Sequence, residues 1–140
     1  MIRVARFAEL DTSTLFQILR LRQDVFVVEQ DCPYADIDEY DTAPRTLHMW
    51  ESDDDQVVAC LRLLDDGAEA RIGRVCTAVR ARRNGLAAAL IGRAMEMAGA
   101  RPVVIAAQSH LADWYATFGF GVCGPEFVED GIPHLPMRRT

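Results

Sequence analysis

The sequence contains no lysine, and all 15 of its basic residues are arginine. Its 21 acidic residues give a formal net charge of −6. Nucleic-acid binding needs a strongly basic face, so we expect no nucleic-acid partner. No apolar run approaches the ~18 residues of a membrane-spanning helix, and no basic-then-apolar leader precedes the first predicted strand. We therefore expect a cytoplasmic protein without a membrane partner.

Metal-binding and disulfide patterns are also missing. The four cysteines form no C-x-x-C pair, and the three histidines lack the spacing of metal ligands. Neither a zinc site nor a disulfide framework is expected from such a pattern. Cys60 and Cys76 lie within apolar runs, which is typical of small core residues. The length of 140 residues fits a single domain over residues 1–140.

Hydrophobic periodicity predicts an alternation of strands and helices. Helices are predicted over Thr14–Phe26, Gly85–Ala98 and Leu111–Phe118. The element order β-α-β-β-β-α-β-α-β-β predicts an α/β domain with a mixed sheet. The long acidic stretch Glu29–Pro44 predicts a functional or disordered loop. The predicted strands are Ile2–Arg6, Thr46–Glu51, Val57–Leu64, Ala70–Val79, Val103–Ala107, Val122–Val128 and His134–Arg138.

The segment between the predicted strand Ala70–Val79 and the predicted helix Gly85–Ala98 has the features of an anion site. Arg80, Arg82 and Arg83 make it locally basic in an acidic chain. A helix N-terminus offers unpaired N–H groups and the positive end of the helix dipole, both of which suit phosphate. Gly85 has no side chain that would keep an anion away. The segment therefore predicts a diphosphate site, and it is no Walker loop, because no Gly-Lys-Ser/Thr follows.

Two motifs resemble those of the GNAT N-acetyltransferases. The run Arg82-Arg83-Asn84-Gly85-Leu86-Ala87 resembles the Q/R-x-x-G-x-G/A signature of that family, and it has the same context of strand before and helix after. Further along, Trp114-Tyr115-Ala116-Thr117-Phe118-Gly119-Phe120 resembles the F-Y-x-x-x-G-F end of a late helix. Four other stretches are similar to the ElaA-like branch of the family: Leu21–Gln30, Ile37–Asp41, Ala107–His110 and Asp130–His134.

The resemblance implies an α/β fold of the GNAT (acyl-CoA N-acyltransferase) type. Such a fold has a mixed, mostly antiparallel sheet of about seven strands, which is splayed between the fourth and fifth strands and flanked by helices. It also implies acetyl-CoA as the co-substrate and no metal. The residues expected to bind acetyl-CoA are Val75, Cys76 and Thr77 through the main chain, the loop residues Arg82, Arg83, Asn84, Gly85, Leu86 and Ala87, and the side chains of Gln108 and Tyr115.

By this resemblance, Tyr115 occupies the position of the residue that usually acts as the general acid in the family. A tyrosine donates a hydrogen bond while remaining neutral at pH 7, so it can protonate a departing thiolate. The candidate bases are Glu29 and His110, with Asp38, Glu39 and His134 left open. We further expect the acidic loop to cover the acceptor side and to attract a cationic amine. The residues expected to bind the acceptor are Arg22, Phe26, Glu29, Asp38, Glu39 and His134.

These expectations predict an acetyl-CoA-dependent N-acetyltransferase that acts on the primary amine of a small molecule. Direct transfer in a ternary complex is expected, because no cysteine lies in an evident nucleophile setting and proximity could supply much of the rate. Two alternatives stay open: a non-catalytic acyl-CoA-binding sensor or partner subunit, and an acetyltransferase acting on a protein amine. The sequence leaves a homodimer open as well.

Overall fold

Three α-helices and one eight-stranded sheet build the protein, seen here in a computed structural model that describes residues 1–140. The helices are α1 (Thr12–Arg22), α2 (Leu86–Ala98) and α3 (Ala112–Ala116). The strands are β1 (Ile2–Ala5), β2 (Leu47–Asp53), β3 (Gln56–Asp65), β4 (Ala70–Thr77), β5 (Val103–Gln108), β6 (Gly121–Val122), β7 (Phe127–Glu129) and β8 (Ile132–Arg139). The predicted α/β fold with a mixed, mostly antiparallel sheet is confirmed.

The sheet is split near its centre, between β4 and β5. Its strand order is β1-β2-β3-β4-β5-β8-β6, and β7 also pairs with β8. The parallel β4–β5 ladder contains only the pairs Ala70↔Val103 and Arg71↔Val104, after which the two strands part. β5 instead pairs with β8 along its whole length. The predicted splay between the fourth and fifth strands is therefore confirmed.

A β-bulge in β4 lies at the start of this split. One residue separates Cys60 from Arg62 on β3, whereas two residues separate their partners Cys76 and Gly73 on β4. Arg74, inside the bulge, has a φ of 53°, in the left-handed region that non-glycine residues rarely occupy. A bulge interrupts the ladder and increases the local twist. It therefore turns the C-terminal half of β4 away from β5.

The two long helices cover opposite faces of the sheet. Along β3, alternate side chains enter different clusters, since Leu61 and Leu63 pack with Leu90 and Ile91 of α2 whereas Cys60 packs with residues of α1. The buried side chains of Leu90 and Ile91 each contribute about 1.5–3 kcal/mol through removal of apolar surface from water. No helix of the chain combines the length and apolar character that crossing a bilayer requires.

The first predicted helix continues in a different helical form. It begins at Thr12, where the side chain of Asp11 accepts a hydrogen bond from the Thr14 N–H at 2.7 Å. After Arg22 the chain winds into a π-helical segment, Gln23–Glu29. Such segments are rare and occur often at functional sites. The wider winding could not be read from hydrophobic periodicity, which predicted one uniform helix ending at Phe26.

The predicted strand Val122–Val128 is wrong as a single element. It is divided into β6 and β7, which brings the sheet to eight strands rather than about seven. Pro125 separates the two strands and has no N–H for a ladder. A side chain at Gly124 would begin only 2.9 Å from the ring of Pro136, so the backbone passes too close to β8 for regular pairing.

Candidate active site

A cavity of about 920 Å³ follows the split between β4 and β5. It is lined by consecutive residues from Ile72 to Thr77 on β4 and by Ile105 and Ala106 on β5. Because side chains alternate faces along a strand, a cavity that touches consecutive residues borders both faces of the sheet. The cavity lining also includes Ala87 at the start of α2, Glu29 of the π-helical segment and Asp130 in the β7–β8 turn. It can therefore bring together two molecules from opposite faces.

The α2 end of the cavity has the backbone of an anion site. Gly85 precedes the first helical residue with a φ of +72°, and no side chain caps the helix N-terminus. A Cβ atom placed on Gly85 would meet no other atom within 4 Å, so the space beside the helix start is open. Asn84 steadies the turn by donating from its side chain to the Ala81 carbonyl at 3.1 Å. The unpaired N–H groups and the open space fit a diphosphate.

Arg82 connects the two walls of the cavity. Its Nε donates to the Thr77 carbonyl at 3.0 Å, and its two terminal nitrogens each donate to a carboxylate oxygen of Glu29 at 2.6 Å. The hydrogen bond and charge of Arg82 lower the pKa of Glu29, against a smaller effect of burial. All three guanidinium nitrogens are thus engaged by the protein.

Tyr115 lies in the middle of the lining, on α3. Its ring packs edge-on against Trp114, with centroids 4.9 Å apart, and against Phe120, at 6.2 Å. The residue is only 5% exposed, and burial raises the pKa of its hydroxyl to about 12. The hydroxyl therefore stays protonated at neutral pH and can act as a proton donor toward the cavity it lines.

Two histidines, His110 and His134, line the cavity. The Nδ1 of His134 lies 2.8 Å from the Ile132 carbonyl, and its ring stacks on Phe127 with centroids 5.6 Å apart. A carbonyl can only accept, so Nδ1 carries a proton and donates it in this hydrogen bond. His110 is exposed at the end of β5. Both imidazole rings therefore border the cavity.

The loop after the π-helical segment is fixed by a buried ionic network. Arg22 donates to Asp41 at 2.6 Å and 3.1 Å and to the carboxylate of Asp36 at 3.0 Å. Arg62 donates to both oxygens of Asp38, at 2.6 Å and 2.9 Å. Burial alone would raise the pKa of Asp41, but hydrogen bonding to Arg22 and the arginine charges outweigh it and hold the pKa at about 2. The carboxylates of Asp36, Asp38 and Asp41 therefore point into the protein.

Three residues predicted on the acceptor side lie outside the cavity lining. Arg22 is 1% exposed and Asp38 is paired with Arg62, so both belong to the buried network. Glu39 is exposed in a short 3₁₀ turn. Asp38 turns inward and neutralises a buried arginine instead of lining the site, whereas Glu39 faces solvent.

Most of the other predicted residues meet at the cavity. Asn84, Gly85 and Leu86 form the turn at the start of α2 and lie just beyond the lining. The side chain of Gln108 donates to that of Gln30 at 3.3 Å, which joins β5 to the end of the π-helical segment. The predicted residues that line the cavity are Phe26, Glu29, Val75, Cys76, Thr77, Arg82, Arg83, Ala87, Gln108, His110, Tyr115 and His134.

Sequence reasoning missed Tyr34 and Arg74. Both line the cavity. The Arg74 guanidinium lies 5.5 Å from the centre of the Tyr34 ring and 3.0 Å from a carboxylate oxygen of Asp36, to which the Tyr34 hydroxyl also bonds. Burial and the bond to Asp36 raise the pKa of Tyr34. No local pattern signals these contacts, because they depend on the bulge in β4.

Comparison with known proteins agrees with this geometry. Residues 21–140 match the model of the acetyltransferase (GNAT) domain. The chain is 43% identical over 136 residues to the UPF0039 protein Mb2876c of Mycobacterium bovis, covering 94% of this chain and 87% of that protein. It is 38% identical over 139 residues to protein ElaA of Escherichia coli, covering 94% and 91%.

A solved structure shows the same architecture. An acyl-CoA N-acyltransferase from Pseudomonas aeruginosa superposes with a TM-score of 0.94 at 38% identity, covering 100% of this chain and 99% of that one. The chain therefore belongs to the GNAT acetyltransferase family of acyl-CoA-dependent enzymes and has the ElaA proteins among its relatives.

Proposed function

We propose that the protein transfers an acetyl group from acetyl-CoA to the primary amine of a small molecule, directly and within one ternary complex. The observation that carries the proposal is the cavity along the β4–β5 split, which connects an uncapped helix N-terminus with a protonated tyrosine and with an open acceptor side. Each of the three parts matches one requirement of acyl transfer from a thioester.

The donor side suits a diphosphate and an extended thiol arm. The N–H groups at the start of α2 and the guanidinium groups of Arg82 and Arg83 would hold the diphosphate. Beyond Arg71, β4 has no strand partner toward β5, so main-chain groups of Val75–Thr77 are available to the arm. A main-chain N–H there would stabilise negative charge on the thioester oxygen as the amine attacks. The Tyr115 hydroxyl would then protonate the departing thiolate.

The acceptor side suits a small molecule. Phe26, Tyr34 and His134 form its walls, and Glu29, His110 and the Nε2 of His134 are the groups that can take a proton from the amine. An amine must lose a proton before it attacks a thioester, so at least one such group is needed. The buried loop carboxylates are occupied by arginines and cannot serve.

An amine panel tests the proposal. The purified protein is incubated with acetyl-CoA and, one at a time, aminosugars, polyamines, amino acids and aryl amines, and the release of free CoA is followed. We expect turnover with at least one class. Binding of CoA without turnover on any class would contradict the proposed enzymatic activity. It would support the alternative of a non-catalytic acyl-CoA-binding sensor. Failure to bind either CoA or acetyl-CoA in calorimetry would contradict the donor site itself.

The role of Tyr115 is tested by Tyr115→Phe, with Tyr40→Phe as the matched control. Tyr40 is an exposed tyrosine outside the cavity lining. We expect Tyr115→Phe to lower kcat by about 10²–10⁴-fold, the usual contribution of general acid catalysis, with little change in the Kd for CoA. Tyr40→Phe should leave both quantities unchanged. Equal kcat values for the two variants would remove Tyr115 from the mechanism.

A further inference from the structure

The pair between Glu29 and Arg82 conflicts with the tasks assigned to its two members. Arg82 would have to donate to a diphosphate, yet both of its terminal nitrogens are bonded to Glu29 at 2.6 Å. Glu29 would have to accept a proton, yet its carboxylate is neutralised by that same arginine. Both residues line the cavity, so the contact lies within the site.

We propose that the diphosphate of CoA displaces Glu29 from Arg82, so that binding of the donor releases a carboxylate for the acceptor amine. This inference rests on the proposed function, because it requires the diphosphate to lie at the start of α2. In this proposal Glu29 bonds to Arg82 before CoA binds, and the diphosphate bonds to Arg82 afterwards.

The exchange is chemically matched. The guanidinium group presents two parallel N–H donors, and a phosphate accepts them in the same forked geometry as a carboxylate. Arg82 keeps its third bond, from Nε to the Thr77 carbonyl, and so remains oriented toward β4. A carboxylate left beside a diphosphate would be repelled by it, which drives Glu29 away from the arginine.

The surroundings of the pair make its separation easy. The side chains of Arg82 and Glu29 are 37% and 39% exposed, and ion pairs in such positions contribute little to stability. Glu29 is also the last residue of the π-helical segment, beyond which the chain enters an irregular loop. Its side chain can therefore turn away without disturbing a packed core.

The released carboxylate has a chemical use. Without the hydrogen bonds of Arg82, the cause that lowers its pKa is gone, and Glu29 becomes a better proton acceptor. In the step itself an N–H bond of the ammonium breaks, an O–H bond forms on Glu29, and the neutral amine keeps the lone pair with which it attacks. A site that gains its base only after the donor has bound favours binding of the donor before the amine.

Calorimetry with two probes tests the exchange without a known acceptor. The full-length protein and its Glu29→Gln variant are titrated with CoA and with pantetheine, which lacks the diphosphate. Glu29→Gln removes the competitor for Arg82, so its affinity for CoA should rise by about fivefold, the factor for a surface pair of about 1 kcal/mol. Its affinity for pantetheine should equal that of the wild type.

Glu96→Gln is the matched control, since Glu96 forms an exposed pair with Arg93 on α2 and its substitution changes the net charge equally. It should leave the Kd for CoA within about twofold of the wild type. In an Arg82→Gln background, Glu29→Gln should no longer tighten CoA binding. With an amine found by the panel, Glu29→Gln should lower kcat although it binds CoA more tightly.

Different failures have different meanings. No binding of CoA to the wild type would overturn the proposed function and the exchange together. Normal CoA binding with the same affinity for Glu29→Gln and Glu96→Gln would overturn the exchange alone. An equal gain with CoA and pantetheine would likewise overturn it, because the effect would not depend on the diphosphate. An unchanged kcat in Glu29→Gln would contradict the proposed proton transfer from the amine to Glu29.

Discussion

Two forked arginine–carboxylate pairs use the same chemistry in different surroundings. In the buried network, Arg22 bonds to both oxygens of Asp41 and to Asp36, and its side chain is 1% exposed. At the cavity, Arg82 bonds to both oxygens of Glu29 with its side chain 37% exposed. The bond lengths are alike, with a shortest contact of 2.6 Å in each pair. Burial therefore decides what each pair can do.

A buried pair resists separation because neither charge has water to replace its partner. The Arg22 network can consequently hold the loop from Cys32 to Asp41 against the sheet. An exposed pair loses little when it opens, because water and ions solvate both groups. The Arg82 pair can consequently exchange its partner for a ligand. Under the proposed function, the buried network would fix the acceptor wall and the exposed pair would respond to the donor.

Removal of Arg22 should produce the largest effect. Arg22→Met keeps a long side chain but leaves Asp36 and Asp41 without their main partner, so we expect a loss of about 3–5 kcal/mol in the free energy of unfolding. Arg20→Met on the same helix is the control, because Arg20 is exposed and its contact with Asp24 is long, at 3.9 Å. Urea denaturation followed by circular dichroism measures both. A loss under about 1 kcal/mol for Arg22→Met would contradict the claim that burial makes the Arg22 pairs resist separation.

Acid should weaken the same network. The folded pKa of Asp41 is about 2, below the ordinary value of about 3.9 expected in the unfolded chain. A lowered pKa contributes stability that is complete above the unfolded value and is lost as pH falls through the folded value. The contribution, on the order of 2 kcal/mol, should therefore disappear between about pH 4 and pH 2. Urea midpoints at pH 6, 4 and 3 measure it.

Asp41→Asn is the control for the acid effect. It cannot titrate, so its stability should vary less with pH across this range than that of the wild type, although it starts from a lower value. Parallel pH curves for the two proteins would assign the acid sensitivity to other groups.

The elements that depend on local sequence were predictable. Gly85, between a basic turn and an apolar helical face, signalled the start of α2. Tyr115 and the aromatic residues around it followed from a short motif. In such places the residues that make the structure are neighbours along the chain, so their pattern carries the information.

The acceptor wall could not be predicted, because its contacts join distant residues. The carboxylates of Asp36 and Asp38 belong to an acidic run that normally lies in solvent. They turn inward because they find Arg22 at a separation of 14 residues and Arg62 at 24. Two further features of this wall are the left-handed backbone at Arg74 and the π-helical winding after Arg22. No propensity of these residues indicates them.

The donor region should show small losses of stability with clear effects on binding. Gly85→Ala and Gly67→Ala each place a Cβ on a left-handed backbone, at φ +72° and +80°, with no atom within 4 Å. Both should lose about 1–2 kcal/mol of stability from backbone strain. Only Gly85→Ala should also weaken CoA binding, by about tenfold, because its methyl group enters the space for the diphosphate. Calorimetry measures the Kd for CoA of each variant. Equal values would contradict a diphosphate site beside Gly85.

The smallest effect concerns the stability of the exposed pair. Because Glu29 and Arg82 are both more than a third exposed, Glu29→Gln and Arg82→Gln should each change the free energy of unfolding by less than about 1 kcal/mol. The double variant should then reveal a coupling energy of about 0.2–1 kcal/mol that fades in 1 M salt, since screening weakens exposed charges. Urea denaturation at low and high salt measures it. A coupling above about 2 kcal/mol that persists in salt would mean that this pair behaves like the buried network, and a contact held so firmly could not be exchanged by a ligand at little cost.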